Sequence, residues 1–446
     1  MIATILNIVL LLYAFFQYNK GRYAWPLFIL VFFASNAFII NIGEPVIKYM
    51  DFGLLLLFGC SVLGNLRDSS FFKIKKDTGA KIALFFVLFF VFELIYSYLF
   101  NIDTIGNILS VVRTYLYALT YFVFRKAPTK DLKKGIVLIF KAVILASSLF
   151  VIQYITHLPL TESYISETNL QEGNYRMQST PPFTSLILLS LLFYVKKVYW
   201  SWGIIVLIFV LMLISQNRTP LIALFLEIGM FLLFAKRVKH KFSVLIVALC
   251  AFPFLNSLLE SRSSDENSVL DVSVLSYLRD GDYVGLARQN SFVFRIALIA
   301  ERADYLLDNP DLLLQGVGAM HEDTAQKKFK FLVGTGGYDE VKHCYVISQL
   351  DSIDVVWGPL LIRYGFLGMA LHLFVVIWMI IVFYKKRSTP IMMLGFLTYV
   401  AAIAQSFSSG SLFSLLGLLT MMGFLIIYDR DISYSTRGEK LIQDKI

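Results

Sequence analysis

The sequence predicts an all-α membrane protein, a polytopic bundle of twelve to thirteen helical spans with one large helical extracytoplasmic loop. Three observations predict it. Hydrophobic residues make up 57% of the 446-residue chain and charged residues only 16%, where a soluble domain carries roughly a quarter charged residues. The apolar residues come in repeated runs of about 18–22, each long enough to cross ~30 Å of hydrocarbon as a helix. Period-two alternation, which barrel strands would need, is absent.

The apolar runs fall near 1–18, 24–42, 46–65, 82–100, 105–124, 136–156, 183–195, 199–214, 220–235, 242–259, 356–383, 389–407 and 411–428. The first has no basic flank and no small-residue cleavage site, so it reads as a retained helix and not as a signal peptide. Connections alternate in charge. One set holds Lys20 and Arg22; Arg67 to Lys81; Arg125 to Lys134; Lys196 and Lys197; Lys236 to Lys241; Lys385 to Arg387; and the tail with Arg430 and Arg437. The other short connections contain only Arg176 and Arg218. The positive-inside rule makes the first set cytoplasmic, with the N-terminus outside and the C-terminus inside. The net charge of +9 is thus a topology signal, with no nucleic-acid partner implied. Cys60, Cys250 and Cys344 are too scattered for a disulfide framework or a metal site.

This divides the chain into a membrane bundle at 1–259 with an outer connection at 157–182, a large extracytoplasmic loop at 260–355, further spans at 356–428 and a cytoplasmic tail at 429–446. The loop is acidic and has apolar residues at regular intervals, which predicts a small helical cap. No internal repeat supports an inverted-repeat transporter.

Ionisable residues inside spans are costly and mark functional sites by default. Glu93, Arg113, Glu227 and Arg363 all fall toward the outer ends of their spans. Glu93 and Arg113 lie at matching depth and could pair, whereas Lys141 near the cytoplasmic end would snorkel. In the loop, "LARQNSFVFRIALIAERADYLLDNP" places Phe292, Ile296, Ile299, Ala303 and Leu306 on one helical face. Arg288, Arg295 and Arg302 recur every seven residues and would stack on one side. Asn309-Pro310 ends the helix. An arginine stripe is usually a solvated face, and Glu301 and Asp304 could pair with this one. Yet it sits above a membrane face already carrying Arg218, Arg113 and Arg363, and converging guanidiniums suit a phosphate or diphosphate. Gly316 and Gly318 permit positive φ, but a lone GxG without strand–helix context is no nucleotide loop. His321 reads as a surface residue. His343 is a candidate base with a plain surface role as the alternative, and Asp354, at the entry to a helix, reads as an N-cap. No spacing argues for a metal or another cofactor.

Three segments, "SQNRTPL", "FRIALIAERADYLLDNPDLLLQGVGAM" and "DVVWGPLLIRYGFLG", together resemble the O-antigen polymerase and O-antigen ligase family of bacterial envelope glycosyltransferases. The resemblance covers about 215–370. It implies a C-type glycosyltransferase fold, metal-independent transfer and a donor and acceptor glycan on undecaprenyl diphosphate. The implied partners include membrane lipids, a chain-length regulator and a flippase. The implied setting is the bacterial cytoplasmic membrane. Carried over by position, Arg218 and Arg295 would grip the diphosphate, and His343 would match the ligases' loop histidine. Many ligases have His-Asn there, against His343-Cys344 here, and the Asp-rich approach to a helix at Asp354 is the polymerases' pattern, so the resemblance implies His343 or Asp354 as the catalytic base. The expectation is therefore a repeat-unit polymerase, with a ligase, a lipid-linked oligosaccharide flippase and a membrane scaffold or sensor as alternatives. In the first span-to-span turn of the motif, Thr219 would cap the ninth span and hold Arg218 at the positive end of a helix, a poor place for a lone cation.

Overall fold

A computed structural model describes residues 2–35, 47–74, 77–158, 160, 181–193, 199–214, 218–234, 272–289, 291–334, 336–339, 344–352, 354–407, 409 and 411–436. The N-terminal part forms α1 (Ile2–Asn19), α2 (Ala24–Ala34), α3 (Tyr49–Arg67), α4 (Thr78–Leu99), α5 (Ile105–Val112), a 3-10 segment (Arg113–Ala118), α6 (Leu119–Phe124), α7 (Thr129–Thr156), α8 (Thr184–Phe193), α9 (Tyr199–Ile214) and α10 (Arg218–Phe234). The large loop contains α11 (Val272–Asp280), α12 (Tyr283–Ala287), α13 (Ser291–Asp308), a turn at Pro310–Leu312, α14 (Glu322–Lys328), β1 (Gly336–Asp339) and β2 (Cys344–Ile347). Then come α15 (Trp357–Lys385), α16 (Pro390–Ser406), a turn at Ser411–Phe413 and α17 (Leu415–Thr436).

Among the described residues, six segments are long and apolar enough to cross a membrane: Ile2–Asn19, Tyr49–Arg67, Thr78–Leu99, Ile105–Phe124, Thr129–Thr156 and Trp357–Lys385. The protein is an all-α, membrane-embedded bundle. The span expected at 242–259 lies outside the described residues, as do residues 36–42 of the second. The fifth span is not one α-helix, because a 3-10 segment joins α5 to α6. That segment carries Tyr117, whose hydroxyl donates to the Met50 carbonyl at 2.8 Å and fills the space left by Gly53.

Contacts at one end gather the basic connections together. Arg67 donates to the Tyr18 and Asn19 carbonyls, and Arg125 to those of Ser70 and Lys73. Arg430 donates to the Arg125 carbonyl at 2.9 Å. Cations here meet the carbonyl ends of helices, where the backbone dipole favours them. At the same end Asp429 accepts from the first amides of α4, Thr78 at 3.0 Å and Gly79 at 2.7 Å, and from the Tyr121 hydroxyl. α17 therefore runs on to Thr436, beyond the boundary expected at 428, because its first charged residues are docked on the bundle.

The large loop departs from the expected all-helical cap. β1 and β2 form an antiparallel hairpin, with Gly336 opposite Ile347 and Asp339 opposite Cys344; the aromatic and β-branched run Tyr345-Val346-Ile347 suits a strand. The buried face of α13 is also turned from the one expected. Val293, Ala297, Leu298, Arg302 and Leu306 are buried, while Phe292 is 45% exposed. Arg302 thus points inward. It donates to the Val333 and Gln349 carbonyls and to Glu301, and lies 4.6 Å over the Phe331 ring. Burial pulls its pKa down to about 10, against the opposing pull of Glu301 and Glu322, so it stays charged at neutral pH. The loop's core is shared with the bundle: Leu306, Val317, Met320, Phe331 and Leu350 pack with Leu361 and Ile362 of α15.

Candidate functional site

The site grows from a fault in α15. Gly365 adopts φ 64°, ψ −172°, which breaks the helix inside an otherwise apolar run. Backbone groups freed at membrane depth must find partners within the protein, since lipid supplies none. The segment 313–318 supplies them. The amides of Val317 and Gly318 donate to the Ile362 and Arg363 carbonyls at 2.9 and 2.8 Å, and those of Phe366 and Leu367 donate to the Leu313 and Leu314 carbonyls at 3.0 and 3.2 Å. The approach is backbone to backbone. A Cβ at Gly316 would lie 2.5 Å from the Arg363 carbonyl, and one at Gly365 would lie 2.4 Å from that of Leu314. Gly316 and Gly318 have φ of 67° and 77°, so the sequence motif Gly-Val-Gly serves to cross a broken helix. The segment is pinned on its other side by α4 and the turn after it. Ser97 Oγ accepts from the Ala319 amide at 2.9 Å, and Asp103 Oδ2 accepts from the His321 amide at 3.0 Å.

Polar side chains collect around this crossing. Arg363 is buried, donates to the Met320 carbonyl and is paired with Asp351. Glu322 orients that aspartate by accepting the amides of Leu350 and Asp351, both at 3.0 Å. Desolvation pulls the Asp351 carboxyl up, but the Arg363 charge and hydrogen bond outweigh this and hold it below the ordinary carboxylate range. A depressed folded pKa contributes stability that is complete above the unfolded value of about 4 and is lost as pH falls through the folded one. Acidification from pH 5 to pH 3 should therefore weaken the clasp between the loop and α15. Asp351→Asn should flatten the acid limb of the thermal-stability profile; identical slopes in variant and wild type would refute this.

Deeper in the bundle, Tyr364, Tyr115 and Glu93 lie within electrostatic reach of one another. Glu93 is buried, and its Oε2 has no hydrogen-bond partner among the described residues. Below them His372 is fully buried. Its Nδ1 donates to the Gly368 carbonyl at 2.7 Å, its Nε2 has no partner, and Phe89 and Phe413 enclose the ring at 4.8 Å each.

The expected site residues fall as follows. Arg113 pairs at 2.5 Å with Asp51 in the first turn of α3, and not with Glu93. A third helix, α3, supplies the carboxylate expected from Glu93. Arg363 is clasped by Asp351. Arg288 is exposed at the end of α12, and Arg295 is half-buried on α13, which packs on α15 through Leu298 against Gly358. The seven-residue stripe is thus split, because Arg302 belongs to the loop interior. Asp354 does not cap α15: Val356 holds the cap position without a side-chain bond, and the Asp354 amide takes Ser352 Oγ at 3.2 Å. His321, expected at the surface, is half-buried and caps α14 through Nδ1. Arg218 opens α10, with its side chain outside the described residues, as is the whole of His343. Glu227 is buried, and its Oε2 has no hydrogen-bond partner among the described residues.

The level of Arg218 can still be placed. Phe234 at the end of α10 packs edge-on against Tyr384 at 5.6 Å and Phe396 at 5.8 Å. α10 and α15 therefore finish at the same end of the bundle. Counting back along both at ~1.5 Å per residue puts residue 218 roughly level with residue 368, one turn from the break.

Sequence reasoning missed Asp51, Asp103, Glu322 and His372. A lone imidazole in the 29-residue apolar α15 was a readable signal for the last; the carboxylates act through tertiary neighbours. Among the described residues no group of His, Cys, Asp and Glu gathers as a metal site would require. A comparison of the chain with protein-family models gave no match, and a comparison with curated proteins gave none either.

Proposed function

We propose that the protein polymerises polyprenyl-diphosphate-linked glycan repeat units on the outer face of the bacterial cytoplasmic membrane. The observation that supports this most is the common level of the start of α10, which carries Arg218, and the break in α15, where the large loop is anchored. A helix N-terminus opened by an arginine at that level would offer an anion the backbone amides and bidentate fork it needs. Arg113 and Arg363 are engaged by Asp51 and Asp351, and this reading assigns the diphosphate to Arg218, to the half-buried Arg295 on α13 and to the exposed Arg288. In the reaction, an acceptor sugar hydroxyl attacks the anomeric carbon of the donor glycan. The bond to the prenyl diphosphate breaks, the arginines stabilise the departing charge, and a base takes the hydroxyl proton. His343 and Asp354 are the candidates for that base.

Arg218→Lys should cut polymer synthesis by roughly 100-fold or more while the protein still inserts, since lysine keeps the charge but loses the fork. The readout is glycan chain length in a complemented polymerase-deficient strain at matched expression. In the same assay His343→Ala and Asp354→Asn should differ sharply. Full-length polymer from Arg218→Lys would sink the diphosphate assignment, and wild-type activity in both of the others would remove both bases.

A further inference from the structure

At the opposite end of the bundle, among the basic connections, a groove of about 470 Å³ lies between α2 and α7. Lys130, Lys133 and Lys134 line one part of it, and Trp25, Val137 and Leu138 line the rest. Its walls are fixed. Gly135 lets α7 approach α2 so closely that a Cβ there would lie 3.1 Å from the Ala24 carbonyl. Asp131, the acidic group nearest the lysines in sequence, accepts from the Tyr23 amide at 3.1 Å, which ties the start of α2 to the first turn of α7. All three lysines are exposed. They stand in the first turns of α7, where the helix dipole opposes further positive charge. Positions 130, 133, 134, 137 and 138 share one helix face. The lysines mark its beginning, and the apolar wall runs inward along the axis. Trp25 is 39% exposed and meets Tyr13 and Phe28 edge-on at 5.7 and 5.9 Å, an aromatic group of the kind that sits at a membrane interface.

We infer that this groove binds one anionic membrane phospholipid, with its phosphate and headgroup on Lys130, Lys133 and Lys134 and an acyl chain along Trp25, Val137 and Leu138. A cationic cluster opening directly onto an apolar wall complements a molecule that is anionic at one end and hydrocarbon at the other. A soluble phosphate would leave the apolar part uncovered, and a zwitterionic lipid would leave the lysine charge unbalanced. The bundle that carries the groove is surrounded by such lipids.

The test uses the full chain in detergent, with native mass spectrometry against phosphatidylglycerol and phosphatidylcholine of matched chains. Wild type should hold one phosphatidylglycerol about tenfold more tightly than phosphatidylcholine. The triple variant Lys130→Gln, Lys133→Gln, Lys134→Gln should lose that preference, and a control triple Lys385→Gln, Lys386→Gln, Arg387→Gln should keep it. Tryptophan quenching by bromine-labelled phosphatidylglycerol should show a saturable component that disappears in Trp25→Phe. Equal retention of the two lipids by wild type would overturn the inference, as would loss of preference in both triple variants. Saturable quenching that survives Trp25→Phe would also overturn it.

Discussion

Gly316→Val should prevent folded protein from accumulating. The position has φ 67°, and any Cβ there lies 2.5 Å from the Arg363 carbonyl and 2.6 Å from the Gly365 amide nitrogen, atoms of a main chain that cannot swing aside. The left-handed conformation alone costs a β-branched residue ~1–2 kcal/mol or more. Relief of the clash would part segment 313–318 from α15 and strand four amides and their carbonyls, each costing ~1–3 kcal/mol if left buried without a partner. The sum rivals the ~5–15 kcal/mol stability of a typical domain. Gly281→Val separates the two causes. Gly281 has φ 69° but nothing within 4 Å of its would-be Cβ, so that variant should lose only ~1–2 kcal/mol. Size-exclusion profiles and melting temperatures in detergent decide the matter. A Gly316→Val protein that elutes and melts like Gly281→Val would show that the crossing does not hold the loop to the bundle.

Arg302→Met should unravel the loop while leaving the spans inserted. Methionine keeps much of the volume but removes the donors to Val333, Gln349 and Glu301 and the stacking on Phe331. Deleting one partner of a buried charge network costs ~3–5 kcal/mol. Hydrogen exchange should speed up across 331–350 and leave α3 and α4 protected. Arg302→Lys should fall between, because it keeps charge without the fork. Arg288→Met, at an exposed position, should exchange like wild type. If Arg302→Met and Arg288→Met behaved alike, the seven-residue stripe would be one solvated face after all.

The contrast between those two arginines shows what the sequence could and could not say. The helix carrying Arg302 was legible from apolar spacing and from Asn309-Pro310, although it begins at Ser291 and leaves Arg288 to α12. Its orientation was not, because a guanidinium with enough carbonyls around it can occupy an interior face, and those carbonyls come from residues 333 and 349. Six of the expected spans were legible among the described residues because lipid imposes length and composition on each. The break in α15 was not: "IRYGFLGMA" is apolar on both sides of Gly365, and glycine is common in membrane helices. Only its meeting with Gly316 and Gly318 gives it meaning. Arg113 is the intermediate case. Its place in a span and its need for a carboxylate followed from the sequence, but choosing Asp51 over Glu93 required knowing how α3 packs on the fifth span.

The crossing at Gly365 also bears on modularity. Leu361 and Ile362 belong to the core of the loop, and residues 313–318 complete the hydrogen bonding of a membrane helix. The covalent border between loop and span therefore falls inside a single folded unit. A chimera that replaces 272–352 alone would pair half of that unit with a stranger. One that exchanges 272–367 together would carry both halves and is the graft with a prospect of assembling.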